Sequence, residues 1–193
     1  MANTTPEFLD GYFDGFRAGL EAVLADEAAH AALCECVSIV EATRASGATL
    51  YIVGNGGSAA IAEHAAIDFT KNARLRAIAF SGTPTLTTLS NDYGYEHAFA
   101  QAIRLYAREG DVLVAISSGG TSANILNAVA EARSIGMTMI TLSGFAADNP
   151  LRAAGDVNLY VPSRAYGYVE LIHSALLHYV NDAVIGAIEY VIR

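Results

Sequence analysis

Short β-rich runs alternate with helical patterns over most of this 193-residue chain. The runs are rich in valine, isoleucine and leucine, and stretches with helical periodicity separate them. They span residues 50–53, 77–80, 112–116, 137–142 and 157–161. Strands that alternate with helices pair in parallel, because each helix carries the chain back to the edge where the previous strand began. The sequence therefore predicts an α/β fold: a doubly wound, five-stranded parallel sheet in the flavodoxin-like strand order 2-1-3-4-5.

Two further helical patterns precede the first strand. Aromatic and leucine side chains recur every four residues from residue 8 to residue 20, and the second pattern ends at Gly47, which suits a helix C-cap. We interpret residues 1–47 as a helical arm used in oligomerisation and residues 48–193 as one α/β domain. Hydrophobic residues make up 53% of the chain and charged residues only 16%, which predicts that apolar helix faces are buried between copies of the chain in a homo-oligomer.

The charge of the chain argues against two classes of partner. A formal charge of −9 and an isoelectric point near 4.9 do not suit nucleic acids or anionic membranes, which require basic surfaces. The sequence has no stretch typical of a membrane span, and its amino terminus lacks the features of a signal peptide. We expect a cytoplasmic protein in which Cys34 and Cys36 are reduced packing residues, because their spacing on a helix suits neither a disulfide nor a shared metal ion.

Two loops rich in glycine and serine, residues 54–58 and 117–122, each follow a predicted strand and open a predicted helix. Glycine lets the backbone approach a ligand, the first amide groups of a helix are free to donate, and serine hydroxyl groups add donors. The predicted strand order places both loops at the topological switch point, where open α/β sheets bind ligands. We therefore expect a phosphate group to bind there, although a single loop of this composition commonly does no more than join a strand to a helix.

Nucleotide binding is the weaker interpretation of the first loop. Gly54, Gly56 and Ala59 fit the dinucleotide fingerprint, but residues 80–82 read Phe-Ser-Gly where the acidic residue that binds ribose is expected. Lys71 is the only lysine and lies in neither loop, so the chain has no Walker-type phosphate loop.

Ionisable residues occur at helical positions whose neighbours are apolar. His64 and Asp68 are four residues apart and project from one helix face, so they suit a shared metal ion, a shared proton or an ordinary surface hydrogen bond. Glu170, His173 and His178 lie in the apolar last helix. Glu170 and His178 are eight residues apart, which is about 12 Å along a helix axis. If both act in one site, they reach it from opposite sides or come from different subunits.

Four segments taken together resemble the sugar isomerase (SIS) fold family, and within it the sedoheptulose 7-phosphate isomerases. The segments are residues 54–60, 90–95, 110–124 and 170–178, and the resemblance spans nearly the whole chain. It implies a homotetramer that interconverts sedoheptulose 7-phosphate and D-glycero-D-manno-heptose 7-phosphate through a cis-enediol. It also implies that residues 48–193 form a phosphosugar-binding SIS domain.

The resemblance further implies the residues of the site. The implied substrate-binding residues are Asn55, Gly56, Gly57, Ser58, Asn91, Asp92, Ser117, Ser118, Gly119, Ser122 and Glu170. Asn91 and Asp92 occupy a predicted polar turn, which alternatively only caps the next helix. The implied Zn²⁺ ligands are His64, Asp68, Glu170 and His178, and the implied catalytic residues are Asp68, Glu170 and His178.

Three residues depart from the family pattern. Asp68 stands in place of glutamate, Glu170 in place of glutamine, and Gly119 in place of serine. Aspartate is one methylene shorter, so a base at residue 68 sits about 1 Å too far from its proton, and misplacement on that scale can cost about a hundredfold in rate. The resemblance implies that Asp68 or Glu170 is the base and that His178 is the acid. The alternative is a non-catalytic SIS protein that binds a phosphosugar or regulates a protein partner such as a replication initiator.

Overall fold

A five-stranded parallel sheet lies at the centre of the structure, a computed structural model that describes residues 4–190. The strands are β1 (Thr49–Gly54), β2 (Arg76–Ala79), β3 (Val112–Ser117), β4 (Thr138–Ser143) and β5 (Val157–Tyr160). Their order is β2-β1-β3-β4-β5, and every neighbouring pair is parallel. The predicted fold class and strand order are confirmed, and each predicted strand ends within one residue of the observed one.

Helices cover both faces of this sheet. In chain order they are α1 (Pro6–Leu24), α2 (Glu27–Ser46), α3 (Gly57–Lys71), α4 (Thr83–Tyr93), α5 (Ala98–Tyr106), α6 (Ala123–Ile135), α7 (Pro150–Ala154) and α8 (Tyr166–Ile185). α1, α2, α3 and α8 pack on one face, and α4 to α7 pack on the other. Successive strand residues point to opposite faces, so Ile52 of β1 lies in the first core and Val53 lies in the second. None of the helices within residues 4–190 has the length and apolar character needed to span a membrane.

The two amino-terminal helices differ in how they pack. α2 lies against the sheet, where Leu33 and Val40 are buried in the same core as the strands. α1 is more exposed, and Phe8 and Tyr12 of its predicted apolar stripe face solvent in a single chain. The use of residues 1–47 in oligomerisation stays a prediction, but α2 is also part of the core that supports the sheet.

The two cysteines have different surroundings. Cys36 is buried, and this burial, with a smaller contribution from Glu35, raises the pKa of its thiol to about 12. Cys34 is exposed, and both thiols are free. The predicted packing role therefore applies to Cys36 alone, because residues two apart on a helix face different directions.

β1 and β3 bring the two glycine-rich loops together at one edge of the sheet. They are neighbours in the sheet, and Gly54 at the end of β1 is paired with Ile116 of β3. From there the chain enters α3 on one face of the sheet and α6 on the other. The two loops that diverge in this way open a crevice at the carboxyl ends of the strands, at the predicted switch point.

Candidate functional site

The loop after β1 depends on its glycines. A Cβ on Gly54 would collide with the backbone of Ser58, and Gly56 has a φ of 54°, which residues with side chains rarely adopt. α3 therefore begins at Gly57, with only two residues between it and the end of β1. Its N-cap residue, Gly56, has no side chain that could cap the helix. Ser58 is only 3% exposed, so the surface that this loop offers to a ligand is mainly backbone.

The loop after β3 is held by hydrogen bonds within it. The Gly120 amide donates to the carbonyl and hydroxyl oxygens of Ser117 at 3.0 and 3.2 Å, and the hydroxyl groups of Ser117 and Ser122 lie 3.3 Å apart. Ser122 is the N-cap of α6, but its side chain does not cap the helix. Among the described residues, the buried hydroxyl group of Ser118 has no hydrogen-bond partner. The loop thus combines an uncommitted hydroxyl group with a helix amino terminus, which is an arrangement that binds phosphate.

Gly119 is a partly exposed residue of the same loop. A Cβ on this residue would lie 3.7 Å from its nearest neighbours, Phe145 and Thr121, which is ordinary van der Waals contact. The position therefore has room for the serine of the family pattern. Relative to that pattern, the loop lacks one hydroxyl donor while its backbone keeps a conformation that serine can adopt.

A pair of amide side chains joins the two loops. Asn55 Nδ2 donates to Asn124 Oδ1 at 2.9 Å, and Asn124 Nδ2 donates to Asn55 Oδ1 at 2.8 Å. The Tyr95 hydroxyl group also donates to Asn55 Oδ1, at 2.7 Å. Asn124 and Tyr95 had no predicted role, although an asparagine in the first turn of a helix that lines the switch point is a usable signal. Together the three side chains hold the two loops at a defined separation.

The polar turn predicted at Asn91 and Asp92 is wrong. Both residues are in the last turn of α4, are exposed, and are linked by a 2.9 Å hydrogen bond from Asn91 Nδ2 to Asp92 Oδ1. α4 continues to Tyr93 because the first helix-terminating residue is Gly94, which has a φ of 83°. Contact between Asn91, Asp92 and a sugar stays a prediction.

Asp68 lies between two imidazole rings. Its Oδ2 is 3.3 Å from His64 Nε2 and 3.5 Å from His178 Nδ1, and the two ring centroids are 5.1 Å apart. One potential ligand atom from each residue lies within 4.8 Å of the others. α3 supplies His64 and Asp68 one turn apart, and α8 supplies His178 from the side. The structure thus brings together three of the predicted site residues.

The donor set of this cluster fits the implied Zn²⁺ ion. Catalytic zinc sites commonly have three protein ligands drawn from imidazole and carboxylate groups, with a further position open. A cavity of about 10 Å³ adjoins the three side chains, and this is space for about one water-sized atom. The other residues that line it are Ile61, Ala65, Phe69, Ser174, Leu177 and Asn181.

Asn72 and Tyr190 orient the Asp68 carboxylate. Asn72 Nδ2 donates to Asp68 Oδ1 at 3.3 Å and to the Tyr190 hydroxyl group at 3.2 Å. With Oδ1 engaged in this way, Oδ2 faces the imidazoles. Sequence analysis missed both residues. The four-residue spacing of Asp68 and Asn72 was the available signal, whereas Tyr190 lies beyond the end of α8 and only the tertiary structure brings it here.

Glu170 lies apart from this cluster within one chain. Its carboxylate occupies the space where a Cβ of Gly57 would be, at the beginning of α3. Further along the two helices, His178 of α8 faces Asp68 of α3. Both contacts follow the same order along each helix, so α3 and α8 run side by side in the same direction. The eight residues between Glu170 and His178 separate them by about 12 Å along the axis. The four implied metal ligands therefore do not converge in a single chain: three meet, and Glu170 lies at the first glycine loop.

His173 is a core residue. It is fully buried, its Nε2 lies 3.1 Å from the Ser143 carbonyl oxygen, and among the described residues its Nδ1 has no partner. Since the carbonyl group only accepts, Nε2 carries the hydrogen. Burial lowers the pKa of His173 to about 4, with the Ser143 hydrogen bond as a smaller opposing effect. His173 is therefore neutral and belongs to the packing of α8 against β4.

Comparisons with known proteins identify the family. Residues 11–144 match the SIS domain family. The phosphoheptose isomerase of Rhodospirillum rubrum is 37% identical over 153 residues, which cover 76% of this chain and 81% of that protein. The chain belongs to the phosphoheptose isomerase family of SIS domain proteins.

Two further members of the phosphoheptose isomerase family extend the similarity to α8. A phosphoheptose isomerase of a Bradyrhizobium species is 32% identical, and the match covers 97% of this chain and 98% of that protein. The solved structure of the phosphoheptose isomerase from Neisseria gonorrhoeae has a TM-score of 0.85 and 31% identity, with 92% of this chain and 98% of that chain covered. Helix α8, which carries Glu170 and His178, lies beyond the SIS match but within the Bradyrhizobium match.

Proposed function

We propose that this protein converts sedoheptulose 7-phosphate to D-glycero-D-manno-heptose 7-phosphate as an aldose–ketose isomerase. Its family membership supports this reaction. The observation that carries the proposal is the Asp68 carboxylate held between His64 and His178 on helices α3 and α8. A carboxylate and an imidazole are the groups that this isomerisation needs for its proton transfers.

The phosphate group binds at the loop after β3. The hydroxyl groups of Ser117, Ser118 and Ser122 and the amide group of Gly119 are its donors, next to the amino terminus of α6. Neither switch-point loop contains a lysine or arginine, so dipoles rather than a cation neutralise the phosphate. The loop after β1, with Asn55, Gly56, Gly57 and Ser58, lines the sugar, as do Asn91 and Asp92.

The reaction moves one proton between neighbouring carbons. A carboxylate removes a proton from carbon 1 of the ketose, a cis-enediol forms, and the same carboxylate returns the proton to carbon 2 of the aldose. The oxygen on carbon 2 gains a proton as the oxygen on carbon 1 loses one. Two carboxylates are candidates for this base. Asp68 lies beside the two histidines, and Glu170 lies at the first glycine loop. His178 Nδ1 faces Asp68, which leaves its Nε2 to exchange the oxygen-bound proton as the acid.

A Zn²⁺ ion would be held by His64, Asp68 and His178, and it would polarise the carbonyl group of the sugar and stabilise the negative charge that develops on the oxygen. Glu170 joins this set from a neighbouring copy of the chain, in a cytoplasmic homotetramer whose contacts include residues 1–47. The exposed aromatic side chains of α1 support such contacts, because apolar side chains grouped at a surface are typical of interfaces.

An isomerase assay tests the reaction. Protein loaded with Zn²⁺ is incubated with sedoheptulose 7-phosphate and aldose formation is followed, then the assay is repeated after chelation. We expect turnover that chelation abolishes, and we expect Asp68→Ala and His178→Ala to lower kcat about a hundredfold or more, with Cys34→Ser as the exposed control. Absence of turnover with every ketose phosphate of five to seven carbons would leave phosphosugar binding without catalysis as the function.

Mixed oligomers test the contribution of a neighbouring chain. Asp68 and His178 meet within one chain, so mixing Asp68→Ala with His178→Ala protein should restore nothing. If Glu170 acts in the neighbour's site, mixing Asp68→Ala with Glu170→Ala protein should restore activity, because some sites then contain one intact set. Absence of recovery in the second mixture would place Glu170 in the site of its own chain.

A further inference from the structure

Phe145 has a strained backbone next to the loop that follows β3. Its φ is 58°, a positive value that a residue with a bulky side chain rarely adopts. Within residues 4–190, Arg74 is the only other non-glycine residue with a positive φ, and it precedes β2, at the opposite ends of the strands. Strain of this kind persists only where the surrounding structure imposes it, and it is concentrated at functional sites.

Neighbouring segments impose this conformation on Phe145. Its amide group donates to the Ser163 carbonyl oxygen at 2.9 Å, and its carbonyl oxygen accepts from the Tyr160 hydroxyl group at 2.9 Å. The preceding amide group, that of Gly144, donates to the Ser118 carbonyl oxygen at 3.0 Å. These hydrogen bonds fix the segment after β4 against the loop after β3.

The Phe145 ring lies beside hydrogen-bond donors of that loop. A Cβ on Gly119 would be 3.7 Å from this ring, so the ring is close to the loop backbone. The buried Ser118 hydroxyl group and the Gly119 amide group have no hydrogen-bond partner within the described part of the chain. Ligand sites combine apolar surface with a few placed polar groups, and the ring and the loop provide both.

A second aromatic ring extends this apolar surface to α8. The Tyr166 ring is edge-on to the Phe145 ring, with 4.8 Å between their centroids. Tyr166 is the first residue of α8 and is 64% exposed, and Glu170 follows one turn later on the same face. The Glu170 carboxylate reaches the loop after β1 at Gly57. The two rings therefore connect the loop after β3 with the helix face that carries this carboxylate.

We propose that Phe145 is a specificity-determining residue whose ring, extended by Tyr166, forms an apolar wall beside the bound phosphate group. The inference rests on the proposed function and adds to it how the phosphate end of the sugar is recognised. The ring packs against the carbon atom that carries the phosphate group. The ligand class is a phosphate ester, because an ester presents a carbon atom to the ring as well as oxygen atoms to the donors.

Calorimetry on the full-length protein tests this assignment with two ligands. One is sedoheptulose 7-phosphate reduced with borohydride, an ester that cannot isomerise because it has no carbonyl group, and the other is inorganic phosphate. Phe145→Asn removes the ring and introduces a residue that tolerates a positive φ. We expect the dissociation constant of the ester to rise about tenfold and that of inorganic phosphate to change by less than about threefold. In the isomerase assay KM should rise while kcat changes little, because the carbon that carries the phosphate group is remote from the reacting carbons.

A matched control separates recognition from relief of backbone strain. Arg74→Asn introduces the same residue at the other position of positive φ and should leave both dissociation constants unchanged. If Phe145→Asn does not fold, Tyr166→Ala takes its place, because it removes the more exposed ring without altering the strained backbone. The dissociation constant of the ester should then rise about threefold while that of inorganic phosphate stays unchanged.

Two results would overturn the inference. One is an unchanged affinity of Phe145→Asn for the ester, and the other is an equal loss of affinity for the ester and for inorganic phosphate, which would mean that the ring only supports the loop. The isomerase assay is independent of these binding measurements. Turnover with unchanged ester affinity in Phe145→Asn would keep the isomerase and refute the inference, whereas ring-dependent ester binding without turnover would keep the inference and refute the isomerase.

Discussion

Lowering the pH should destabilise this protein through His173. The ordinary pKa of an imidazole is 6.5, and burial lowers the pKa of His173 to about 4. Between these two values the unfolded chain binds a proton that the folded chain does not, so the unfolded state gains stability as the pH falls. The stability associated with neutral His173 is therefore fully present above pH 6.5 and is lost as the pH decreases toward 4.

The size of this effect follows from the two pKa values. A difference of about 2.5 pKa units corresponds to roughly 3 kcal/mol when the transition is complete. The linkage relation gives about 1.4 kcal/mol lost by pH 5.5 and about 2.6 kcal/mol lost by pH 4.5. The physical cause is that a proton on Nδ1 would place a charge in the core, where residues 4–190 offer it no hydrogen-bond acceptor.

Urea unfolding at several pH values measures this loss. The chain has no tryptophan, so circular dichroism is the suitable signal. The matched control is His173→Gln, which keeps an amide donor for the Ser143 carbonyl group and does not titrate. The difference in unfolding free energy between the two proteins cancels the contributions of the other ionisable groups. A difference that stays constant between pH 7.5 and pH 4.5 would refute the argument.

Three further substitutions test the loops and their connection. Gly57→Ala places a methyl group where the Glu170 carboxylate lies, so kcat/KM should fall about tenfold. Alanine favours a helix, so the unfolding free energy should change by less than about 1 kcal/mol. Unchanged kinetics would mean that the position of Glu170 has no role in the reaction. Gly120 has a φ of 66°, and a Cβ there would clash with Asn149, so Gly120→Ala should lower the unfolding free energy by about 1–3 kcal/mol in denaturant titrations. An unchanged unfolding free energy would show that the loop can rearrange to accept a side chain. Asn124→Leu breaks the amide pair between the loops, and we expect a loss of about 1–3 kcal/mol together with a raised KM for the sugar phosphate, whereas an unchanged KM would contradict a positioning role.

The fold and the places of the two glycine-rich loops were predictable because their signals are local. Periodic burial and alternating element types decide a parallel sheet, and the chain direction then places both glycine-rich loops at the same edge. Gly56 and Gly54 illustrate this: Gly56 needs a positive φ, Gly54 has no space for a Cβ, and both requirements arise within a few residues. The spacing of His64 and Asp68 was readable for the same reason, as one turn of helix brings them together.

Contacts between distant segments were decided only by the tertiary structure. How α8 lies against α3 determines that His178 meets Asp68, while Glu170 lies about 12 Å from His178 along the axis of the same helix. The same packing brings Tyr190 toward Asp68 through Asn72. Sequence spacing gives distances along one helix but not the offset between two helices, because that offset depends on the packing of side chains from many elements at once.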